Sequence, residues 1–182
     1  MPDVAGAWAF LENSGLVCAE QDVQAAIEGL AAQLTERLRD AYPLVLVVMG
    51  GAIVFAGQLL PRLRFPLDLD YVHATRYGAA TQGGGLIWRV SPPPETSGRT
   101  VLLLDDILDQ GRTLRAIRDQ LLAQGATQVL SAVLVEKELA ATKPIRADFV
   151  GLHIPDRFVF GCGMDAKGFW RNLPEIRALR DA

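Results

Sequence analysis

Three carboxylates stand close together in the segment VLLLDDILDQGRTL, from Val101 to Leu114. Asp105 and Asp106 follow a four-residue apolar run that is typical of a buried strand, and Asp109 comes three residues later. Sugar hydroxyls donate hydrogen bonds to carboxylates, and hard cations such as Mg²⁺ prefer carboxylate oxygens. The acidic pair therefore predicts a site for a sugar diol or for a metal ion.

The segment DQGRT (109–113) has the composition of a tight loop that leads into a helix N-terminus. Gly111 permits backbone torsions that are closed to other residues. The amides of the loop and the first helical turn can then converge on an anion, and Thr113 adds a hydroxyl donor. For this loop alone a plain capping turn is the favoured explanation, but it explains the neighbouring acids poorly. A phosphate and a diol together predict a ribose 5-phosphate as ligand.

The hydrophobic pattern places this loop in a fold where strands alternate with helices. Residues 76–91, with glycine at 83–85, read as a long excursion that contains a β-hairpin arm. The alternation predicts a mostly parallel sheet with helices on both faces, and in such sheets ligands bind beyond the carboxyl ends of the strands. Asp105 and Asp106 lie at such an end, and so do Gly50 and Gly51. The predicted helices are 20–40, 52–60 and 113–124, and the predicted strands are 44–49, 67–75, 100–106, 128–136 and 147–154.

Bulk composition favours a cytoplasmic protein that acts on small molecules. A chain of 182 residues predicts one domain, residues 1–182. The net charge of -3 and the lack of a Lys/Arg run argue against a nucleic-acid partner. No apolar run approaches the ~20 residues of a membrane helix, and the first ten residues lack a signal-peptide pattern. The two cysteines have no metal or disulfide spacing, which fits a reducing compartment.

The whole pattern around the three acids is more specific than its parts. VLLLDDILDQGRTL resembles the phosphoribosyl-pyrophosphate (PRPP) motif of type I phosphoribosyltransferases. VVMGGAIVFAGQL (47–59) resembles their pyrophosphate loop and the following helix, and RYG (76–78) resembles the start of their mobile catalytic loop. VLVEKE (133–138), DFVGLHIPDRFVFGCGMD (148–165) and FWRNL (169–173) resemble the purine-binding end of hypoxanthine-guanine phosphoribosyltransferases. The matches follow the family order over most of the chain.

The resemblance implies a reaction that joins hypoxanthine or guanine, through N9, to C1 of PRPP. The products would be IMP or GMP and pyrophosphate, Mg²⁺ would be required, and the pathway would be purine salvage. The implied fold is the type I phosphoribosyltransferase fold. It has a core at about 20–150, a small hood from the N-terminal segment and about 151–182, and a mobile β-hairpin loop. A homodimer or homotetramer is also implied.

The resemblance assigns PRPP contacts to several residues. Asp105 and Asp106 would hold the ribose hydroxyls and lie near Mg²⁺, and Asp165 would ligate Mg²⁺ or contact it indirectly. Asp109 would serve as general base or acid near purine N7. The 5-phosphate cradle would be Asp109, Gln110, Gly111, Arg112 and Thr113. The pyrophosphate contacts would be Met49, Gly50, Arg76, Tyr77 and Arg171, with a cis peptide implied at Met49–Gly50.

At the base end, the resemblance implies that Lys137 donates to O6 of the purine. Phe158 would stack on the ring, and the backbone of Val159 would read its edge. A solvated charge at Lys137 and plain core roles for the other two residues are the simpler interpretations. A phosphoribosyltransferase for another base, such as xanthine or uracil, and a non-catalytic PRPP or nucleotide sensor remain as alternatives.

Three residues depart from the family pattern. Met49 stands where some relatives carry lysine, and Arg76 where many carry serine. Asp105 stands where glutamate is common, which shortens the reach without changing the charge. Met49 is expected to contribute mainly its backbone to the pyrophosphate loop, so little changes there. Arg76 is expected to change how the mobile loop contacts pyrophosphate.

Overall fold

In a computed structural model of the chain, residues 3–76 and 86–180 are described. The helices are α1 (Val4–Glu12), α2 (Glu20–Leu38), α3 (Ala52–Leu59) and α4 (Arg112–Ala123), with short 3₁₀ turns at Leu60–Arg62 and Pro94–Thr96. The strands are β1 (Ser14–Cys18), β2 (Leu44–Met49), β3 (Asp68–Arg76), β4 (Leu86–Val90), β5 (Thr100–Leu108), β6 (Gln128–Glu138), β7 (Phe149–Pro155), β8 (Val159–Phe160) and β9 (Ile176–Leu179). Every helix and strand predicted from the hydrophobic pattern is present, with ends shifted by a few residues.

The strands form two sheets of different size. The large sheet has the order β4-β3-β2-β5-β6-β7 and is parallel except for β4, which runs antiparallel to β3. The small sheet has the order β1-β9-β8 and is antiparallel. The small sheet thus combines a strand near the N-terminus with two strands near the C-terminus. The β3–β4 pair agrees with the predicted hairpin arm, while residues 77–85 lie outside the described residues.

The central strands are apolar on both faces because both faces are covered. Val45 and Val47 of β2 pack into a cluster with α2 and α3. Leu44, Leu46 and Val48 of the same strand pack into a second cluster with α4. A continuous apolar run such as LVLVVM is the pattern expected of a strand in this position.

The carboxyl ends of β2 and β5 lie side by side at the centre of the large sheet. From β2 the chain continues to β3 on one side, and it later returns to β5 on the other side. This reversal creates a crevice beyond the two strand ends, which is where ligands bind in open parallel sheets. The loops that begin at Met49 and at Asp109 both border this crevice.

One strand boundary corrects the sequence-based prediction. Strand β5 was predicted to end at Asp106, but it continues to Leu108. Pairing with β6 continues to Leu108↔Glu136, so both acids belong to the sheet rather than to a loop after it. The ladder thereby fixes the backbone of Asp105 and Asp106 and leaves the turn to begin near Asp109.

Candidate active site

The loop after β2 is tightly packed against two other segments. The Met49–Gly50 peptide is cis, as the sequence resemblance implied. The Asp106 carboxylate occupies the space where a β-carbon on Gly51 would lie. The Gly51 carbonyl in turn occupies the corresponding space at Gly163. Two glycines therefore allow this loop, the acidic pair and the C-terminal segment to meet at one point.

A cavity of about 350 Å³ lies beside this loop. Residues 105–114, together with Met49 and Gly51, line the cavity. Gly111 has φ 74° and directly precedes the first residue of α4. This left-handed conformation lets the chain turn from the loop into α4. At the N-terminus of α4, the backbone amides and the helix dipole favour binding of an anion. The predicted phosphate cradle, residues 109–113, is therefore assembled on one wall of a cavity.

The acidic pair lies on the same cavity wall and is partly buried. Burial, with the adjacent charge of Asp106 as a second cause, raises the pKa of Asp105 well above its ordinary value. Burial also raises the pKa of Asp106, although Arg171 acts in the opposite direction. A cation or hydroxyl donors bound beside these two carboxylates would stabilise their ionised forms.

Asp109 and Lys137 face each other across the end of the sheet. Their Oδ2 and Nζ atoms are 3.5 Å apart, and the Lys137 side chain is only 11% exposed whereas that of Asp109 is 46% exposed. Both residues line a second cavity of about 520 Å³, which shares Asp109, Gln110 and Arg112 with the first. A ligand that engages one of these two groups therefore comes close to the other.

Asp165 and Arg171 form a second ion pair. Arg171 Nη2 lies 2.5 Å from Asp165 Oδ1, and Arg171 Nη1 donates to the Gly163 carbonyl at 2.6 Å. The Gly168 amide donates to the other Asp165 oxygen at 2.7 Å. These bonds hold the predicted metal contact and the predicted pyrophosphate contact together in the loop after Gly163.

The predicted base-stacking residues differ in exposure. The Phe158 side chain is 53% exposed, which leaves ring surface free for a ligand. Val159 is buried and begins β8, where it pairs with Ala178 of β9. Phe10 of α1 meets Phe158 edge-on, with ring centroids 6.4 Å apart. Helix α1 thus touches the predicted base site.

Two further predicted residues lie at the limit of the described chain. Arg76 ends β3, and its backbone pairs with Leu86. Tyr77 lies outside the described residues. Residues 77–85 of the predicted mobile loop also lie outside the described part, so its mobility stays a prediction.

A model of the phosphoribosyl transferase domain matches residues 18–167, which is most of the chain. The chain belongs to the phosphoribosyltransferase family. The protein is therefore a transferase enzyme, and the resemblance seen in the PRPP motif is confirmed.

Individual relatives of this phosphoribosyltransferase share a more specific name. The hypoxanthine-guanine phosphoribosyltransferase of Bacillus subtilis is 32% identical over 169 residues, covering 92% of this chain and 93% of the relative. The Streptococcus pneumoniae protein of the same name is 30% identical and covers 94% and 97%. A solved Staphylococcus aureus hypoxanthine phosphoribosyltransferase has a TM-score of 0.83 at 29% identity, over 94% of this chain and 95% of that one. The predicted fold, a mostly parallel sheet with flanking helices, is confirmed.

Related phosphoribosyltransferases generally use Mg²⁺ with PRPP, and the acidic pair fits such a cation. Within 3–76 and 86–180 no group of three or more His, Cys, Asp or Glu side chains is arranged to hold a metal ion. Mg²⁺ does not need such a cage, because it binds through one or two carboxylates and takes its other ligands from phosphates and water. Burial raises the pKa values of Asp105 and Asp106, and a cation bound beside them would favour their ionised forms.

Sequence reasoning missed several residues that shape the site of this phosphoribosyltransferase. Gly163 makes room for the Gly51 carbonyl, and the run Gly161-Cys162-Gly163 has positive φ throughout. The G-x-G spacing was the available signal. Trp170 donates from Nε1 to the Ala7 carbonyl at 2.9 Å, which ties α1 to the segment that carries Arg171. No pattern in the first twelve residues indicated this contact.

Proposed function

We propose that the protein transfers the 5-phosphoribosyl group of PRPP to N9 of hypoxanthine or guanine, with Mg²⁺, as a purine-salvage enzyme. One observation carries the proposal. A loop suited to a 5-phosphate, a carboxylate pair suited to ribose hydroxyls and an opposed Asp109–Lys137 pair follow one another along the ends of β5 and β6. The names of the relatives support the same assignment.

In the proposed reaction, PRPP lies along the end of β5. The 5-phosphate accepts hydrogen bonds from the loop of residues 109–113. Asp105 and Asp106 accept from the ribose hydroxyls, and the pyrophosphate lies at the Met49–Gly50 loop, near Arg171. Arg76 and Tyr77 would also contact the pyrophosphate.

The proposed metal contacts are Asp165 and the Asp105–Asp106 pair. Bound Mg²⁺ supplies positive charge that lowers the cost of releasing pyrophosphate. Arg171 contributes positive charge from the protein side, and release of its bond to Asp165 frees both groups for ligand. The departure of pyrophosphate leaves positive character on C1, so water must be excluded while that centre is exposed.

At the base end, Lys137 donates to O6 while the free face of Phe158 stacks on the ring and the Val159 backbone meets its edge. The bond from N9 to C1 forms as the bond from C1 to the pyrophosphate oxygen breaks. The proton on N7 passes to the Asp109 carboxylate, which acts as the general base. This use of a proton acceptor favours an enzyme over a non-catalytic sensor, which needs no such group.

Adenine is the base that tests the assignment to 6-oxopurines. It carries an amino group where hypoxanthine and guanine carry O6, so two donors would face each other at Lys137. Sites built on such a hydrogen bond reject the wrong partner by roughly 10⁴–10⁵-fold. Stacking on Phe158 cannot provide this discrimination, because it accepts any flat ring.

The test is product formation by the purified protein with PRPP and Mg²⁺ against hypoxanthine, guanine, xanthine, adenine and uracil. Hypoxanthine or guanine should react and adenine should not. Lys137→Ala should weaken use of the 6-oxopurines while PRPP binding stays nearly unchanged. Efficient adenine or uracil turnover would overturn the base assignment. A complete lack of turnover together with tight PRPP binding would favour the sensor.

The proposal extends to the setting of the enzyme. The small sheet and α1 would form the hood over the site. The cytoplasm is the proposed location because both cysteines are free.

A homodimer or homotetramer is proposed because Ile53 of α3 and Leu69 and Tyr71 of β3 expose apolar surface. Sedimentation of the protein and of Leu69→Glu should show a weaker assembly for the variant. A wild-type monomer would refute this part.

The described residues contain no helix long and apolar enough to span a bilayer.

A further inference from the structure

Lys143 is an inward-pointing lysine between β6 and β7, and none of the family motifs includes it. Its side chain is only 9% exposed. The ammonium donates to Glu136 Oε1 at 2.9 Å, to the Leu108 carbonyl at 3.2 Å and to the Lys137 carbonyl at 2.5 Å. An ammonium has three N–H donors, so these three acceptors use its whole capacity.

The three acceptors lie where the β5–β6 ladder ends. The last paired residues of the two strands are Leu108 and Glu136. Leu108 immediately precedes Asp109, and Glu136 immediately precedes Lys137. Lys143 therefore joins the two strands just where backbone pairing stops and the opposed Asp109–Lys137 pair begins.

The positive charge of Lys143 is balanced within the protein. Glu136, with 20% side-chain exposure, pairs with it directly. Burying an unpaired ammonium is costly, whereas a paired and fully hydrogen-bonded one is tolerated. Because all its donors are engaged by the protein, Lys143 is suited to hold backbone in place rather than to bind ligand.

We propose that Lys143 is a positioning residue that sets the spacing between Asp109 and Lys137, and thereby the fit of the 6-oxopurine. The inference rests on the proposed function, in which Lys137 holds O6 and Asp109 takes the N7 proton. Both groups must meet a single rigid base, so a change in their separation misplaces one of them. Misplacement of about 1 Å can cost on the order of 10²-fold in rate.

The kinetic test compares Lys143→Met with the wild type. Methionine keeps an unbranched side chain of similar length but has no N–H donors. The ratio kcat/KM for hypoxanthine or guanine should fall roughly 10–100-fold, while KM for PRPP stays within about twofold. An unchanged kcat/KM for the base, or an equal loss for PRPP, would overturn the inference.

A double variant separates positioning from simple charge balance. Lys143→Met alone leaves Glu136 partly buried without its cation, and this can destabilise the protein. Adding Glu136→Gln removes that charge and should restore the unfolding midpoint, but it cannot rejoin the Leu108 and Lys137 carbonyls. The base kinetics should therefore remain impaired. Recovery of both stability and kinetics in the double variant would show that only charge balance matters.

Hydrogen exchange of the ligand-free protein tests the same idea without turnover. Lys143→Met should speed amide exchange in peptides that contain residues 107–110 and 137–140. Arg146→Met is the matched control. Arg146 is an exposed cation of the same segment, and its side chain makes no hydrogen bond or ion pair with the described residues. Unchanged exchange in Lys143→Met would overturn the inference. If the wild type transfers no base, the proposed function fails, and exchange alone then decides whether Lys143 holds the two strands.

Discussion

Asp109 begins the proposed phosphate loop, and its carboxylate lies 3.5 Å from the Lys137 ammonium. Asp109→Asn keeps the size of the side chain but cannot accept the N7 proton. We expect kcat to fall roughly 10²–10⁴-fold, the range typical of a lost general base or acid. The dissociation constant for PRPP should change far less, because in the proposed complex loop and helix amides hold most of the phosphate. Steady-state kinetics and a PRPP binding titration measure the two effects separately.

Asp119→Asn provides the control for charge. Asp119 lies on the exposed side of α4, where it pairs with Arg115 at 2.6 Å. An exposed pair of this kind contributes little to stability. Its removal should leave kcat unchanged. Equal kcat values for Asp109→Asn and the wild type would reassign Asp109 from proton transfer to loop structure.

The acids could be predicted from the sequence, but Lys143 could not. Asp105 and Asp106 interrupt a buried apolar strand without a cation beside them in sequence, and that conflict has few structural explanations. Lys143 lies 35 residues from Leu108, and the two meet only because β6 returns beside β5. Such a contact depends on the tertiary fold, so nothing local to Lys143 indicates it.

At the scale of elements, the junction of β5 and α4 depends on Gly111. Alanine in this left-handed conformation costs roughly 1–2 kcal/mol. A β-carbon there would also lie 3.0 Å from Ile145 Cγ2 and 3.3 Å from Leu108 Cδ1. Gly111→Ala should therefore lower the free energy of unfolding and weaken PRPP binding, as measured by urea unfolding and titration.

Gly98→Ala isolates the torsional part of that effect. Gly98 has a similar φ of +76°, and no atom lies within 4 Å of the β-carbon position. It should lose stability through the same torsion but bind PRPP normally. If both variants bound PRPP equally well, the Gly111 loop would not be the phosphate cradle.

Helix α1 packs its aromatic side chains against the start of β8 and against the segment that carries Arg171. Phe10 meets Phe160 and Phe158 edge-on at 5.2 Å and 6.4 Å, while Trp8 meets Trp170 at 5.0 Å. Aromatic pairs contribute about 0.5–1.5 kcal/mol beyond burial. Phe10→Ala should therefore raise KM for the base by roughly 2–10-fold with little change in KM for PRPP.

Trp8→Ala is the comparison within the same helix. Trp8 is exposed and contacts the segment next to Arg171 rather than Phe158. Its loss should not raise KM for the base. Identical effects of the two substitutions on both substrates would indicate that α1 acts only on overall stability.

The long elements could be predicted, and the short ones could not, for a physical reason. Strands such as β2 are buried on both faces, so their composition alone identifies them. Strand β8 has two residues and β9 has four, which is too short for a period to appear. These strands exist because β9 pairs with both β8 and the distant β1. Helix α1 exposes Val4 and Trp8, so it lacks the polar outer face that periodicity detects.

At the scale of the whole molecule, the three segments that are proposed to bind ligand come from different parts of the fold. The proposed pyrophosphate loop follows β2, the acidic pair lies on β5, and Asp165 and Arg171 follow the small sheet's β8. The Asp106 carboxylate and Gly163, which lies two residues before Asp165, both pack against Gly51. The free energy of unfolding of the ligand-free protein should therefore depend on the carboxylates that are proposed to bind ligand.

Asp105 allows this link to be measured. Its pKa is raised in the folded protein, so the folded state retains a proton that the unfolded chain loses above the ordinary aspartate value of about 4. Stability from this group is present below that value and is lost as pH rises through the folded pKa. Asp105→Asn keeps an oxygen that can accept the Asp106 amide, as Asp105 does at 3.0 Å, but it does not titrate.

The ligand-free Asp105→Asn protein should consequently be more stable than the wild type at neutral pH. The difference in free energy of unfolding should grow as pH rises from about 4, the ordinary carboxyl pKa. Urea unfolding across this range measures it. Binding of PRPP with Mg²⁺ should change in the opposite sense, because the amide offers no charge to cation or hydroxyl donors. A stability difference that is independent of pH would mean that Asp105 is ionised normally in the folded protein, and the link between ligand charge and stability would fail.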